Sequence, residues 1–517
     1  MSTLHQTKSA NKKFTLTATA AALAMLAGAS AIAAPTGGFS TTDGGNVSGA
    51  QSFTASTYEQ INIIIANAKL DANGSKVSGG AYPLIITYTG NEDALINQVI
   101  KDHTVDASGN CPKPRWNDAY RYVEIKEFTK GITIIGANGS SANFGIVVNK
   151  SSNVIVRNMK IGALAGANND ADMLRIDSGT NVWVDHNELF AVNNECNGSP
   201  DGDLTFESAI DIKKDSHNIT VSYNVIRDSK KVGLDGSSSS DIAGGREITF
   251  HHNIYKNVNA RLPLQRGGWT HMYNNLYDGI TGSGINVRQA GYALIENNWF
   301  QNSLNPVTCR YDSSNCGKWE LRGNNITNPG DFATYNITWT AGGTVDATNW
   351  TTTAPFPISI PYSYAPVAPQ CVKDKLAQYA GVGKNNATLT ASACSGTASS
   401  VASSSVPVAS SSKSSSSVAV VSSSKSSSSV AVSSSKSSSS ASGAPVLSGT
   451  GDYPSGFSKC ADSGETCAVE SGDGWVAFGR KGKWVTKKVT VGGSIACTVA
   501  AFGSDPGGNP NKCSYKR

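Results

Sequence analysis

Short runs of alternating β-branched residues recur through the middle of the chain, and each closes on an Asn. Val154-Ile155-Val156 leads to Asn158, Val182-Trp183-Val184 to Asn187, and Ile219-Thr220-Val221 to Asn224. Ile248-Thr249-Phe250 leads to Asn253, His271-Met272-Tyr273 to Asn275, and Leu294-Ile295 to Asn298. The Asn-to-Asn steps are 29, 37, 29, 22 and 23 residues. A coil of 22 residues with inserted loops of 7, 15 and 7 accounts for the longer steps. Strands at a near-constant period with Asn at a fixed bend predict an all-β fold, a parallel β-helix, with the Asn side chains stacked up a ladder. An antiparallel sandwich would not require the spacing.

Polar residues can be placed by counting back from the Asn that closes each coil. Asp172 lies 15 residues before Asn187, Asp211 lies 13 before Asn224, and Arg261 lies 14 before Asn275. Lys231 lies 22 before Asn253, or 15 once seven residues of the Gly/Ser-rich stretch 236–245 are removed. Two acids, a Lys and an Arg are thereby expected at nearly one position on four successive coils, stacked at about 4.8 Å and lining one groove. Alternation places Glu207, Ala209, Asp211 and Lys213 on one strand face, with Phe206, Ile210 and Ile212 on the other. Asp170 and Asp172 precede the strand-like run 173–176 and are expected on a loop rim. Asp170, Asp172, Glu207 and Asp211 together make a hard-oxygen set suited to Ca2+. The competing reading is a solvated face in which these acids pair with Lys213 and Lys231.

The chain has 517 residues, of which 16% are charged, and its formal net charge is +5. That charge is unevenly spread. Residues 34–394 carry 28 basic against 32 acidic groups, so the large module is mildly acidic and a nucleic-acid partner is not expected. Lys8, Lys12 and Lys13 precede an Ala/Leu-rich run ending at Ala31-Ile32-Ala33, which reads as a signal peptide over residues 1–33 of a secreted protein with no membrane partner. Ten cysteines without a CxxC pair suit an oxidising compartment and not a zinc site. A Ser-rich tract repeating around Lys413, Lys425 and Lys436 reads as a flexible linker over 395–444, following a module at 34–394. A small β module with four cysteines (Cys460, Cys467, Cys497, Cys513) follows at 445–517. Its Trp475, Phe478 and Trp484 suit a platform for sugar rings of plant cell-wall polysaccharide, with Lys487 and Lys488 reading an acidic polymer. The same aromatics suit equally well the core of a domain too small to stand without disulfides.

The runs Asn181–Asn187, Phe206–Asp211, Lys230–Gly236 and Asn259–Arg266, with Asn274-Asn275, Asn297-Asn298-Trp299, Cys371 and Cys394, resemble the extracellular pectate lyases. The likeness spans roughly residues 34–394, and its most specific element is Arg261-x-Pro263-x-x-Arg266. The resemblance implies a right-handed parallel β-helix and calcium ligands at Asp170, Asp172, Glu207 and Asp211. It implies Lys213, Lys231 and Arg266 on substrate carboxylates and Arg261 as the catalytic base. It also implies disulfides joining Cys111 to Cys196, Cys309 to Cys316 and Cys371 to Cys394. One departure is Ala171, which stands between Asp170 and Asp172 where Gly would be expected.

The chemistry implied is β-elimination from polygalacturonate by a monomer. Lys231 is the second choice of base, since a guanidinium is ordinarily protonated. Pro263 is expected to re-aim Arg266 relative to Arg261. Asp201 and Asp203 lie near enough in sequence to hold a further calcium. Trp183, Asp185 and His186 read as a stacked outer cluster that holds a loop. A galacturonan hydrolase needs a carboxylate pair as acid and base, and no such run is found. A pectin lyase acting on methyl-esterified chains would need fewer acids, and a non-catalytic β-helix adhesin would not need the Arg-x-Pro-x-x-Arg run.

Overall fold

The computed structural model describes residues 36–113, 120–164, 171–196, 205–242, 246–310, 315–340, 343–384, 386–395, 447, 451–469, 474–481, 483–489, 493–502, 506 and 511–515. The chain divides into two compact units, Met1–Ser404 and Ser405–Arg517.

In the first unit the alternating runs become three parallel sheets wound by one chain. A ten-stranded sheet runs from Gln51–Ala55 through Thr180–Asp185, His217–Ser222, Glu247–His251 and Trp269–Tyr273 to Lys318–Arg322. A second sheet of six strands includes Glu188–Phe190, Val225–Lys231 and Ile254–Ala260. A third, of nine strands, includes Leu174–Asp177, Ile210–Lys213, Gly233–Asp235 and Leu264–Gln265, and ends in the antiparallel strand Gly343–Asp346. Six successive coils, the first beginning at Ser152–Arg157, each give one strand to each sheet in that order, which is the expected parallel β-helix. Register follows the predicted period: Val182 faces Ile219, Ile219 faces Ile248, and Ile248 faces Thr270.

The interior is filled by inward residues of all three sheets, including Ile134, Val184 and Val221 of the first, Leu189 and Ile226 of the second, and Ile176 and Ile212 of the third. Tyr255, Tyr277 and Phe300 stack through it at 4.8 and 4.6 Å. Helix Tyr58–Asn67, capped by the Thr57 side chain accepting from the Gln60 N–H, adds Ile61 and Ile65 to this core. The helix Asp93–His103 adds Ile96 and Val99.

The Asn ladder forms, shifted by one residue at its start. Asn187, Asn224, Asn253, Asn275, Asn298 and Asn324 each pass a side-chain hydrogen bond to the next, at 2.9 to 3.1 Å. Asn158 is not in it: the Asn187 side chain accepts instead from the Met159 N–H. Asn158 belongs to the preceding column, with His186, Tyr223, His252, Asn274 and Asn297, all at φ near +50°. That left-handed bend turns the chain from the first sheet into the second. Its cost at His and Tyr is offset by stacking, His186 on Tyr223 at 4.9 Å and Tyr223 on His252 at 4.7 Å.

All five cystine pairs are formed: Cys111–Cys196, Cys309–Cys316 and Cys371–Cys394 in the first unit, Cys460–Cys467 and Cys497–Cys513 in the second. The second unit is built on an antiparallel sheet with strands in the order Ser458–Asp462, Lys512–Tyr515, Trp475–Arg480, Lys483–Lys488. Phe478 does not join a surface platform there. It is 1% exposed, stacks on Phe502 at 5.0 Å and sits with Val476 and Tyr515 in the core, because alternation turns it away from Trp475.

Candidate active site

The candidate residues gather at and around the corner where the second sheet passes into the third. Asp172 and Glu207 stand just before the third-sheet strands Leu174–Asp177 and Ile210–Lys213, and Asp211 and Lys213 lie within the latter. Lys231 ends the second-sheet strand Val225–Lys231, and Arg261 follows the second-sheet strand Ile254–Ala260. Arg266 comes directly after Leu264–Gln265. Side chains at one such corner reach one another across coils.

Asp172 and Asp211 are 1% and 2% exposed, and both aim an oxygen at the same ammonium: Lys213 Nζ lies 3.1 Å from Asp172 Oδ2 and 2.9 Å from Asp211 Oδ2. Their other oxygens accept backbone N–H groups, Asp172 from Ser208 at 3.3 Å and Asp211 from Leu234 at 2.9 Å. Burial pushes the Asp172 carboxyl well above the ordinary range, the Asp211 charge pushes it further, and Lys213 opposes both. Burial also works against the Lys213 ammonium, but the two aspartates outweigh it and raise its pKa. Lys231 Nζ lies 2.7 Å from Glu207 Oε1. The Glu207 carboxyl is raised by burial, against the pull of Lys231.

Arg261 is half-buried with φ at +69°, a left-handed backbone at a residue that is not Gly, and its carbonyl accepts from the Gly233 N–H at 2.8 Å. Its charge acts on Glu207. The Leu262–Pro263 peptide is cis. Three residues beyond it, the Arg266 N–H donates to the Asp235 carbonyl at 2.6 Å, and Arg266 Nη1 donates to the Gly236 carbonyl at 3.2 Å.

The four groups expected at one position on successive coils are offset from one another. Asp211 pairs in register with Arg175 and Leu234, while Lys231 pairs with Ala260, so these groups do not form one column. The small differences in the count are real displacements along the strands, at about 3.3 Å per residue. Long side chains close the gap: Lys213, two residues past Asp211, reaches both aspartates. Glu207 also lies before the strand, not within it. Asp170, Asp201 and Asp203 fall outside the described residues. Among the described residues, no three His, Cys, Asp or Glu side chains group closely enough to hold a metal. Ala171 is buried, and its φ is not positive.

Trp183, Asp185 and His186 are placed as expected, away from this corner. Asp185 is fully buried and binds Arg157 Nε at 2.8 Å, His186 Nδ1 at 2.6 Å and the Ser222 hydroxyl at 2.5 Å. Arg157 lies over the Trp183 ring at 4.1 Å, and His186 Nε2 meets the Ala387 carbonyl at 3.0 Å.

Two buried groups beside the site escaped the sequence reading. Arg246, 0% exposed, donates from Nη1 to Asp241 Oδ1 at 2.7 Å and to the Lys214 carbonyl at 2.8 Å, and from Nη2 to the Arg266 carbonyl. Gly236, at φ +96°, is required there: a Cβ would come within 2.6 to 2.7 Å of the Asp241 carbonyl oxygen, Arg246 Nη2 and the Arg266 carbonyl oxygen. Glu195 accepts the Thr205 and Phe206 N–H groups at 2.8 and 2.9 Å, so it holds the chain just ahead of Glu207. An Arg directly after a Gly/Ser-rich stretch was the available signal for the first. The second leaves no local pattern.

With this geometry in place, residues 12–385 match the family model described as pectate lyase. The chain is 64% identical over 364 residues to pectate lyase C of Dickeya chrysanthemi, covering 70% of this chain and 94% of that one. It is 62% identical over 384 residues to pectate lyase 3 of Pectobacterium atrosepticum, covering 74% of this chain and all of that one. Among solved structures, pectate lyase C from Erwinia chrysanthemi, determined at pH 9.5 with 30 mM Ca2+, superposes with a TM-score of 0.66 at 62% identity, over 70% of this chain and 100% of that one. An arginine-to-lysine variant of pectate lyase C in complex with pentagalacturonic acid superposes with the same score, identity and coverage.

Proposed function

The chain belongs to the pectate lyase family and is a pectate lyase, and from that premise we propose that it is a secreted, endo-acting enzyme cleaving α-1,4-linked polygalacturonate by calcium-assisted β-elimination, with 4,5-unsaturated oligogalacturonates as products. The observation that carries this reading is the convergence of Asp172 and Asp211 on a single cation position. Two buried carboxylates held that close repel each other unless a positive charge stands between them, and hard oxygen donors of this kind suit calcium.

Asp172 and Asp211, which converge on one point, would hold the ion, with Glu207 and Asp170 as its further ligands once Glu207 turns from Lys231. Calcium there supplies charge that neutralises the substrate carboxylate and acidifies the proton at C5. Lys213, Lys231 and Arg266 orient substrate carboxylates by charge-assisted hydrogen bonds. Arg261 takes the C5 proton. The C5–H electron pair becomes the C4–C5 double bond, the C4–O bond breaks, and the leaving glycosidic oxygen is protonated from solvent. A guanidinium acts as base only when deprotonated, which favours an alkaline optimum. Lys231 is the weaker candidate, because Glu207 already engages it at 2.7 Å. Export is supported by the basic and apolar run before Ala33, and no helix among the described residues is long and apolar enough to cross a membrane.

Arg261→Lys tests the base directly. Loss of turnover with calcium binding retained supports the role, and near-normal turnover overturns it. Ultraviolet absorbance of unsaturated product that vanishes with chelator and returns with calcium separates this reaction from hydrolysis and from a calcium-independent lyase.

A further inference from the structure

The second unit presents a sheet face that the elimination chemistry does not use. Its strand Lys483–Lys488 is an edge of the four-stranded sheet. One side of that sheet sends Val476, Phe478, Val485, Cys513 and Tyr515 into the small core. Alternation puts Trp475, Trp484, Thr486 and Lys488 on the other side. Register sets Trp475 opposite Lys488 and Gly479 opposite Trp484, so the two indoles share a face four residues apart, roughly 13 Å along the strands. Lys488 Nζ lies 5.6 Å from the centre of the Trp475 ring, and Trp484 Nε1 donates to the Asp452 carbonyl at 3.4 Å. Both indoles are half-buried, held by the sheet with part of their surface in solvent.

Charge decides what such a face would take. Residues 445–517 carry nine basic and six acidic groups. Asp452, the acid beside Trp484, is already engaged by Arg480 at 2.7 Å and Lys512 at 3.2 Å. Lys483 and Lys487 alternate to the core side, where they protect the edge from strand addition, and Lys487 donates to the Ala501 carbonyl at 2.8 Å. Lys488 is different, since it is exposed on the tryptophan face. A sugar ring offers an apolar C–H face to an indole, and a uronic acid adds a carboxylate at its rim for an ammonium.

We propose that the Trp475–Trp484–Lys488 face is a binding site for polygalacturonate, separate from the elimination groove. Two indoles seat pyranose rings, and Lys488 pairs with a carboxylate. A polymer held at this second point raises its effective concentration at the lyase unit.

The full chain can be tested without turnover, by affinity electrophoresis with chelator present in gels containing polygalacturonate or a neutral galactan. The groove contributes equally in every variant, so differences report the second unit. Trp475→Ala, Trp484→Ala and Lys488→Glu are each expected to weaken retardation by polygalacturonate roughly three- to tenfold. Trp484→Phe, which keeps an aromatic face, retains most of it. Thermal melting and intact cystines confirm the fold of each variant. Wild-type retardation of the folded Trp→Ala variants overturns the site, and Trp484→Phe behaving as Trp484→Ala overturns ring stacking. Equal retardation by the neutral galactan overturns the choice of an anionic polymer. Because no product is measured, these outcomes are independent of whether Arg261 is the base.

Discussion

The guanidinium of Arg246 donates to the backbone carbonyl of Arg266, and through its other terminal nitrogen it holds the carbonyl of Lys214. One fully buried cation thereby ties the neighbour of Lys213 to the end of the Arg-x-Pro-x-x-Arg run. Asp241 balances its charge, and its own carboxyl is drawn down to about 2: N–H groups of Ser237 and Lys214 and the Arg246 ion pair overcome the cost of burial.

Arg246→Met should therefore harm catalysis without touching substrate. Removing one partner of a buried pair costs about 3–5 kcal/mol, so melting should fall. Displacement of Arg266 should also lower kcat/KM on the order of tenfold or more in the fraction that remains folded. Steady-state kinetics well below the melting transition checks this. Unchanged kcat/KM would confine Arg246 to a purely structural part. Gly236→Ala should copy the defect, because its Cβ enters the same knot.

Asp235 predicts the sign of the stability profile. It is 1% exposed, and burial pushes its pKa up to about 8 against the pull of Arg246 and of the Thr270 hydroxyl. A raised folded-state pKa means that its contribution is full below the unfolded value near 4 and is lost as pH rises through about 8. Asp235→Asn should stabilise the protein by a few kcal/mol at pH 9 and by little at pH 4. Urea midpoints at the two pH values measure it, and a larger gain at pH 4 would refute the assignment.

The fold was legible because its repeat writes itself into the chain. A strand with one face inside must alternate, and a bend that leaves backbone groups unpaired must carry Asn, so period and ladder could be read directly. Asn158 misled because Asn also favours the left-handed bend one residue earlier, where His186 and Tyr223 stand on other coils. The residue types of the candidate site could be read from the sequence, but their register could not. Counting absorbs loop residues without saying at which corner they are inserted, and this hid the offset between Asp211 and Lys231. Phe478 could not be assigned to core or surface until the strand boundaries fixed its parity. Arg246 and Glu195 act through backbone carbonyls and N–H groups remote in sequence, and such contacts leave no motif.

The ladder itself can be tested at its middle. Asn253 Oδ1 accepts from the Asn224 N–H and side-chain amide, while its Nδ2 donates to the Val221 carbonyl at 2.9 Å and to Asn275 Oδ1 at 3.0 Å. Asn253→Asp keeps the acceptor and sets a buried carboxylate against two oxygens. The loss should be several kcal/mol at neutral pH and smaller near pH 4, where protonation restores one donor. Denaturant midpoints across pH report it, and a pH-independent loss would mean that strand packing, not the amide relay, sets the cost.

Lys213 occupies the point on which Asp172 and Asp211 converge, so its ammonium and a divalent cation compete for the same two carboxylates. In Lys213→Met the aspartates face each other with no cation between them. Without calcium this variant should melt lower than the wild type, since two buried like charges repel. With substrate absent, its calcium affinity should rise about tenfold, because the ion no longer displaces a bound charge. Calcium should then raise its melting temperature more than that of the wild type. Turnover should move the other way: loss of the cation proposed to orient a substrate carboxylate should raise KM even at saturating calcium. Calorimetric calcium titration alongside kinetics checks both directions. A fall in calcium affinity on removing the ammonium would show that Lys213 organises the aspartates for the metal instead of competing with it.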